Sequence, residues 1–114
     1  MKETLLLTRD DVKELLTLGD CIDAVGRAFS LAARGLIPRA GVLGFPAKDG
    51  GFHMKVASLS GEPGYFAAKL NGNFFRNRER FAMPNIQGLI VLCDSENGRP
   101  LAVMDSIEIT ILRT

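Results

Sequence analysis

Between Gly64 and Asn73 the chain reads Gly-Tyr-Phe-Ala-Ala-Lys-Leu-Asn-Gly-Asn, and no other run constrains the fold as tightly. Its side chains alternate with a period of two, which reads as a strand. Tyr65, Ala67, Lys69, Asn71 and Asn73 share one face, and Phe66, Ala68 and Leu70 the other. A lysine in the middle of so apolar a segment has two readings. Its ammonium snorkels to water, or it faces a polar pocket.

The flanking segments extend this strand into a sheet. Lys48-Asp49-Gly50-Gly51 is a turn signal between an extended stretch from Ala40 to Phe45 and a strand from Phe52 to Leu59. In that second strand Phe52, Met54, Val56 and Ser58 point one way, and His53, Lys55, Ala57 and Leu59 the other. Gly61-Glu62-Pro63-Gly64 turns into the Lys69 strand, giving a β-meander. Ile86 to Cys93 is almost continuously apolar and reads as a strand buried on both faces. Asp94-Ser95-Glu96-Asn97-Gly98 is a turn, with Arg99 to Met104 as the returning hairpin strand. Phe74 to Met83 reads as a loop carrying Arg76, Arg78 and Arg80, either a solvated charged loop or an anion-binding one.

Helices precede the sheet. Thr4 to Leu7 is a short apolar candidate strand. Thr8 reads as an N-cap, with Asp10 and Asp11 in the first turn, where negative charge favours the helix dipole. Val12, Leu15 and Leu16 form the stripe of a short helix that Gly19 ends. Asp20 caps a second helix, in which Ile22, Val25, Phe29 and Ala32 recur at helical spacing as a core stripe, with Gly35 as an αL cap. Asp105 or Ser106 caps a last helix through Ile107, Thr110, Ile111 and Arg113. It has barely begun at Thr114, and its apolar side at Ile107 and Ile111 calls for a partner. The fold class is α+β: two N-terminal helices packed on a mostly antiparallel sheet of about five to six strands, ending at the start of a helix.

The 114 residues make a single domain, 1–114, with 46% hydrophobic and 24% charged residues and a net charge of +1. That charge gives no argument for nucleic acid or a membrane surface, and no segment approaches the roughly 20 apolar residues of a membrane span. Cys21 and Cys93 lack metal-type spacing and sit in apolar runs. They read as buried free thiols suited to a reducing, cytoplasmic setting. There is no GxGxxG after a strand, no P-loop, and no metal-ligand cluster. The single histidine, His53, has no nucleophile elbow beside it and reads as a partly exposed strand residue.

What remains is a set of cations at strand and helix ends: Arg39, Lys55, Lys69 and Arg113. An arginine grips a carboxylate through two parallel hydrogen bonds. A partly buried lysine can exchange protons near neutral pH, because desolvation penalises its charged form. Arginine for the carboxylate and lysine for the proton would make an amino- or imino-acid site.

Several segments together resemble the N-terminal part of the ornithine cyclodeaminase/mu-crystallin family. They are the opening Leu-Thr-Arg-Asp-Asp-Val, Cys-Ile-Asp-Ala-Val-Gly-Arg-Ala-Phe, Pro38-Arg39, Tyr65 to Asn73, Met83-Pro84-Asn85-Ile86-Gln87-Gly88, Asp94 to Pro100, and Thr110-Ile111-Leu112-Arg113-Thr114. Their order and spacing carry the resemblance across essentially the whole chain. It implies a two-domain NAD(P)-dependent enzyme, in which the N-terminal α+β domain binds an amino- or imino-acid substrate and forms a homodimer through its sheet. A following Rossmann domain, absent from this chain, would bind NAD or NADP. Hydride then passes between nicotinamide and an amino-acid Cα through an imine.

By the same resemblance Arg39 contacts substrate, and Lys69 contacts substrate and takes part in proton transfer. Arg113 binds the substrate carboxylate and approaches the cofactor, beside Thr114, a cofactor contact. Asn85 stands where the ornithine cyclodeaminases carry a threonine near the nicotinamide. At His53-Met54-Lys55, many relatives have a proline or small residue near position 55, so an extra cation there bears on which substrate side chain is accepted. The stop at Thr114 reads as a cut, and the fragment alone is expected to be inactive. The alternative is a non-catalytic, mu-crystallin-like ligand-binding or dimerisation module.

Overall fold

Two threonines organise the start of the chain in the computed structural model, which describes residues 3–35, 40–59 and 64–113. Thr8 caps α1 (Arg9–Leu15) through a capping box: its hydroxyl accepts from the Asp11 amide, and the Asp11 carboxylate accepts from the Thr8 amide. Thr17 does the same with Asp20 for α2 (Leu18–Ala33). This corrects two expectations. Gly19 does not end the first helix but lies in the first turn of the second, and Asp20 is the third helical residue, not the cap. Gly35 follows α2 with φ 70°, the left-handed conformation expected there.

The sheet has six strands: β1 (Leu5–Leu7), β2 (Gly41–Ala47), β3 (Gly50–Leu59), β4 (Tyr65–Phe74), β5 (Ile86–Asp94) and β6 (Pro100–Asp105). Their spatial order is β1-β6-β5-β4-β3-β2. All neighbours are antiparallel except β1, which joins β6 in parallel. The β2–β3 hairpin turns at Lys48-Asp49, with Asp49 at φ 63°, a conformation aspartate tolerates better than most residues. The segment expected to be a loop from Phe74 to Met83 contains a short helix, α3 (Asn77–Phe81). Arg76 and Arg80 of this segment reach back to the Asp49 carboxylate at 3.9 and 3.7 Å, so hairpin tip and helix hold one another.

Helix α4 (Ile107–Arg113) lies over the sheet. Asp105 Oδ1 accepts from the Ile107 amide at its start. The fully buried Ser106 donates through Oγ to Asn71 Oδ1 at 2.7 Å. Helix α1 lies against β1, β6 and α4, where Arg9 Nε donates to Glu108 Oε1 at 2.9 Å. Helix α2 makes its main contact with α4.

Very little of this is buried. Among the described residues only Val12, Cys21, Ala102 and Ser106 are. Three expectations are corrected by this. The α2 stripe is not core, since Ile22, Val25 and Phe29 are exposed and only Cys21 on that helix is covered. Strand β5 is not buried on both faces, since Ile86 and Leu89 are exposed. Cys93 is half-buried instead of fully so. The cause is the layering. The start of α4 bonds Asn71 on one side of the sheet, and among the described residues the other side is left with an exposed apolar row. Across that open side Leu43, Met54, Leu70 and Leu89 stand opposite one another on four successive strands, 65%, 39%, 42% and 48% exposed.

Candidate functional site

The face that meets the start of α4 carries the polar residues. Pairing sets them in rows: Lys55 on β3 stands opposite Lys69 on β4, which stands opposite Ile90 on β5. One step along, His53 faces Asn71, and Asn71 faces Gly88. Gly88 has no substitute here, because a methyl group at that position would collide with the Asn71 side chain and the Leu70 carbonyl. The Ser106 amide also donates to the Gly88 carbonyl at 3.1 Å, so α4 begins where β5 comes closest to Asn71.

Beside this packing lies a half-open cavity of about 270 Å³ lined by His53, Lys55, Lys69, Asn71, Asn73, Ile86 and Thr110. Lys69 is half-buried, and His53 and Lys55 are exposed at its outer wall. No carboxylate is among the described residues that line it. Lys69 thus lies half-buried on the wall of a cavity with mostly polar lining. A cavity with two ammonium groups, amide side chains and a hydroxyl has donors for a small anion and one apolar wall for its carbon skeleton.

A second cavity of about 320 Å³ adjoins it, lined by Arg9, Arg78, Pro84, Asn85, Ile86, Ile107, Thr110 and Ile111. Ile86 and Thr110 belong to both. Asn85 anchors the junction by accepting, through its carbonyl, from the Phe74 amide at 2.8 Å. Its side-chain Oδ1 is buried without a hydrogen-bond partner among the described residues, an acceptor left for a donor that is not part of them. Arg76 and Arg80, expected to be either solvated or anion-binding, are engaged with Asp49, and Arg80 also stacks over the Phe81 ring at 4.9 Å.

Of the residues singled out from the sequence, Lys69 and Asn85 therefore line neighbouring cavities. Arg39 and Thr114 lie outside the described residues. Arg113 ends α4, and its side chain lies outside them also. Sequence reasoning did not single out Thr110 and Ser106 as site residues. Asn71 and Asn73 were signalled by sharing the Lys69 face. Among the described residues no group of His, Cys, Asp and Glu side chains could hold a metal ion, and no helix is long and apolar enough to cross a membrane.

An α+β domain with a cationic cavity between a mixed sheet and a docked helix is thus the frame of the site. The chain belongs to the ornithine cyclodeaminase/mu-crystallin family, whose sequence profile matches residues 2–114. It is 32% identical over 112 residues to an alanine dehydrogenase of Archaeoglobus fulgidus, covering 98% of this chain and 34% of that protein. Among solved structures it is similar to an archaeal alanine dehydrogenase dimer with bound NAD, with a TM-score of 0.85 and 32% identity over 98% of this chain and 34% of the other. It is also similar to the Δ1-pyrroline-2-carboxylate reductase of Thermococcus litoralis in complex with NADH and L-proline, with a TM-score of 0.84 and 27% identity over 96% of this chain and 34% of the other. The chain spans about a third of the length of these relatives and corresponds to their N-terminal part.

Proposed function

We propose that residues 1–114 are the substrate-binding and dimerisation unit of an NAD(P)-dependent enzyme that acts on an amino acid or cyclic imino acid through an imine. The observation that carries this reading is the cavity that half-buried Lys69 lines together with His53, Lys55, Asn71, Asn73 and Thr110. Lys69 holds or moves the proton at the substrate nitrogen or Cα, and Arg39 and Arg113 take the substrate carboxylate. Asn85 and Thr114 meet the cofactor: the orphaned Asn85 Oδ1 fits an amide donor such as the nicotinamide carboxamide. When bound, the nicotinamide supplies or accepts the hydride. The residues of this chain bind and orient the substrate beside it, and alone they do not turn it over. The two free cysteines suit a cytoplasmic setting.

Titration calorimetry with L-alanine, L-proline and a cyclic imine, on the native chain and on Lys69→Ala, tests this reading. The expected result is binding that falls at least about tenfold in the variant, the worth of one charge-assisted contact. Equal binding by both chains would refute it.

The open apolar side of the sheet favours a companion reading, that a second copy of this chain covers it. Contiguous exposed apolar surface of this kind marks interaction sites, and the archaeal alanine dehydrogenase similar to this chain is a dimer. A mu-crystallin-like module without catalysis would keep the dimer and the ligand but show no nicotinamide-dependent turnover in the assembled protein.

A further inference from the structure

We propose that this site takes amino acids with an aromatic side chain, or the corresponding aryl-substituted imines, and that the ring lies on a glycine-floored shelf next to the Lys69 cavity. The inference rests on the reading of that cavity as an amino- or imino-acid site and adds the class of side chain it accepts.

Strand register builds the shelf. Gly44 pairs with His53 and Pro46 with Gly51, while His53 pairs with Asn71 and Gly51 with Asn73. Directly paired residues share a face, so these positions continue the row that Lys55 and Lys69 begin. There Gly44, Pro46, Gly51, His53, Asn73 and Phe75 line an open cavity of about 470 Å³. His53 and Asn73 also line the Lys69 cavity of about 270 Å³, so the two adjoin.

Gly44 is the telling position. Gly50 and Gly88 lack side chains because a methyl group would strike the neighbouring strand. Nothing of the kind holds at Gly44. It lies inside β2 without a positive φ, and among the described residues an added methyl would touch only the His53 ring, at an ordinary 3.7 Å. Glycine inside a strand forgoes packing and costs entropy, and it marks places where another backbone or a ligand approaches closely. No described backbone comes within 4 Å of that added methyl, which leaves the ligand. Around the bare floor stand Pro46, the His53 imidazole, the Asn73 amide and the Phe75 ring, the last 66% exposed. Flat peptide groups below and rings at the sides suit a planar apolar group, which gains from edge or offset contact with Phe75.

Strand geometry sets the reach. Two residues along a strand rise about 6.6 Å. A Cα held beside Lys69 therefore sends its side chain past Asn71 toward Asn73 and the shelf. Alanine and proline end within the Lys69 cavity, and an arylmethyl group reaches the floor beyond it.

The test is calorimetry of the full chain with L-alanine, L-leucine and L-phenylalanine. Phenylalanine is expected to bind at least about tenfold more tightly than alanine. It should also bind at least about threefold more tightly than leucine, which brings apolar bulk but no ring. Gly44→Leu, whose side chain fills the shelf, should bring the ratio of phenylalanine to alanine affinity close to unity. Phe75→Ala should lower that ratio about threefold or more. Both variants are read through the ratio, so a general loss of binding or stability does not imitate the effect. Circular dichroism confirms the fold, and one correctly folded variant suffices. Alanine binding without a preference for phenylalanine, leucine bound as tightly as phenylalanine, or an unchanged ratio in either folded variant overturns the inference and leaves the amino-acid site standing. No binding of any of the three overturns both.

Discussion

Ser106 Oγ donates to Asn71 Oδ1 across 2.7 Å, joining residues 35 positions apart and fastening the start of α4 to the middle of β4. Ser106 is fully buried, so its hydroxyl has no water to turn to. Ser106→Ala is expected to cost about 1–3 kcal/mol, because the Asn71 carbonyl oxygen loses its donor in a part-buried place. Urea denaturation checks this. A double-mutant cycle with Asn71→Ala should return a coupling of roughly 0.5–3 kcal/mol, as for residues in direct contact. Strictly additive losses would show that the bond contributes nothing.

Gly88 should tolerate no side chain. Alanine there would meet the Asn71 side chain and the Leu70 backbone, which sits in the centre of the sheet and cannot move aside cheaply. Gly88→Ala is expected to destabilise by about 1–3 kcal/mol, the range for overpacking. Because α4 is anchored at the same point, ligand binding should weaken with it. A thermal midpoint equal to that of the native chain would contradict this.

The start of α2 tests which residue caps it. Thr17→Ala removes an acceptor for the Asp20 amide and should cost about 1 kcal/mol. Gly19→Ala lies in the helix with only the Thr17 hydroxyl near its added methyl, at 3.8 Å, and should stabilise by roughly 0.5–1 kcal/mol. Chemical denaturation of the two variants should move in opposite directions. A loss in both would restore Gly19 as a helix stop.

Leu70 occupies the middle of the exposed row from Leu43 to Leu89. A second copy seated on that row makes the native chain a dimer in sedimentation equilibrium. Leu70→Glu, which places a charge in the contact without disturbing any buried group, should then give a folded monomer. A native chain that sediments as a monomer at micromolar concentration would rule out this use of the surface.

The long strands were legible because alternation leaves a mark that neither register nor packing can erase. Tyr65 to Asn73 and Phe52 to Leu59 are both read correctly to within a residue or two. The same alternation put Asn71 and Asn73 beside Lys69. It did not show that Lys55 faces Lys69, because that depends on where the hairpin sets the register. Thr110 and Ser106 entered the site through tertiary docking of α4, which has no local signature. Burial was the hardest quantity to read. The apolar stripe of α2 and the run in β5 say only that these surfaces want covering, and a sequence does not say whether its own chain supplies the cover.

The parallel pairing of β1 with β6 also orders events in time. Leu5 pairs with Ala102, and the Thr4 hydroxyl donates to the Pro100 carbonyl at a separation of 96 residues. The three residues of β1 find their sheet partner only in β6, which follows all the other strands in the chain. Closing so long a loop comes late and slowly. The meander of β2 to β5 is free to assemble from neighbouring hairpins beforehand, with β1 and α1 as the last pieces to seat. Refolding of the chain should therefore show a slow phase that vanishes when residues before Thr8 are removed, while the signal from the meander remains.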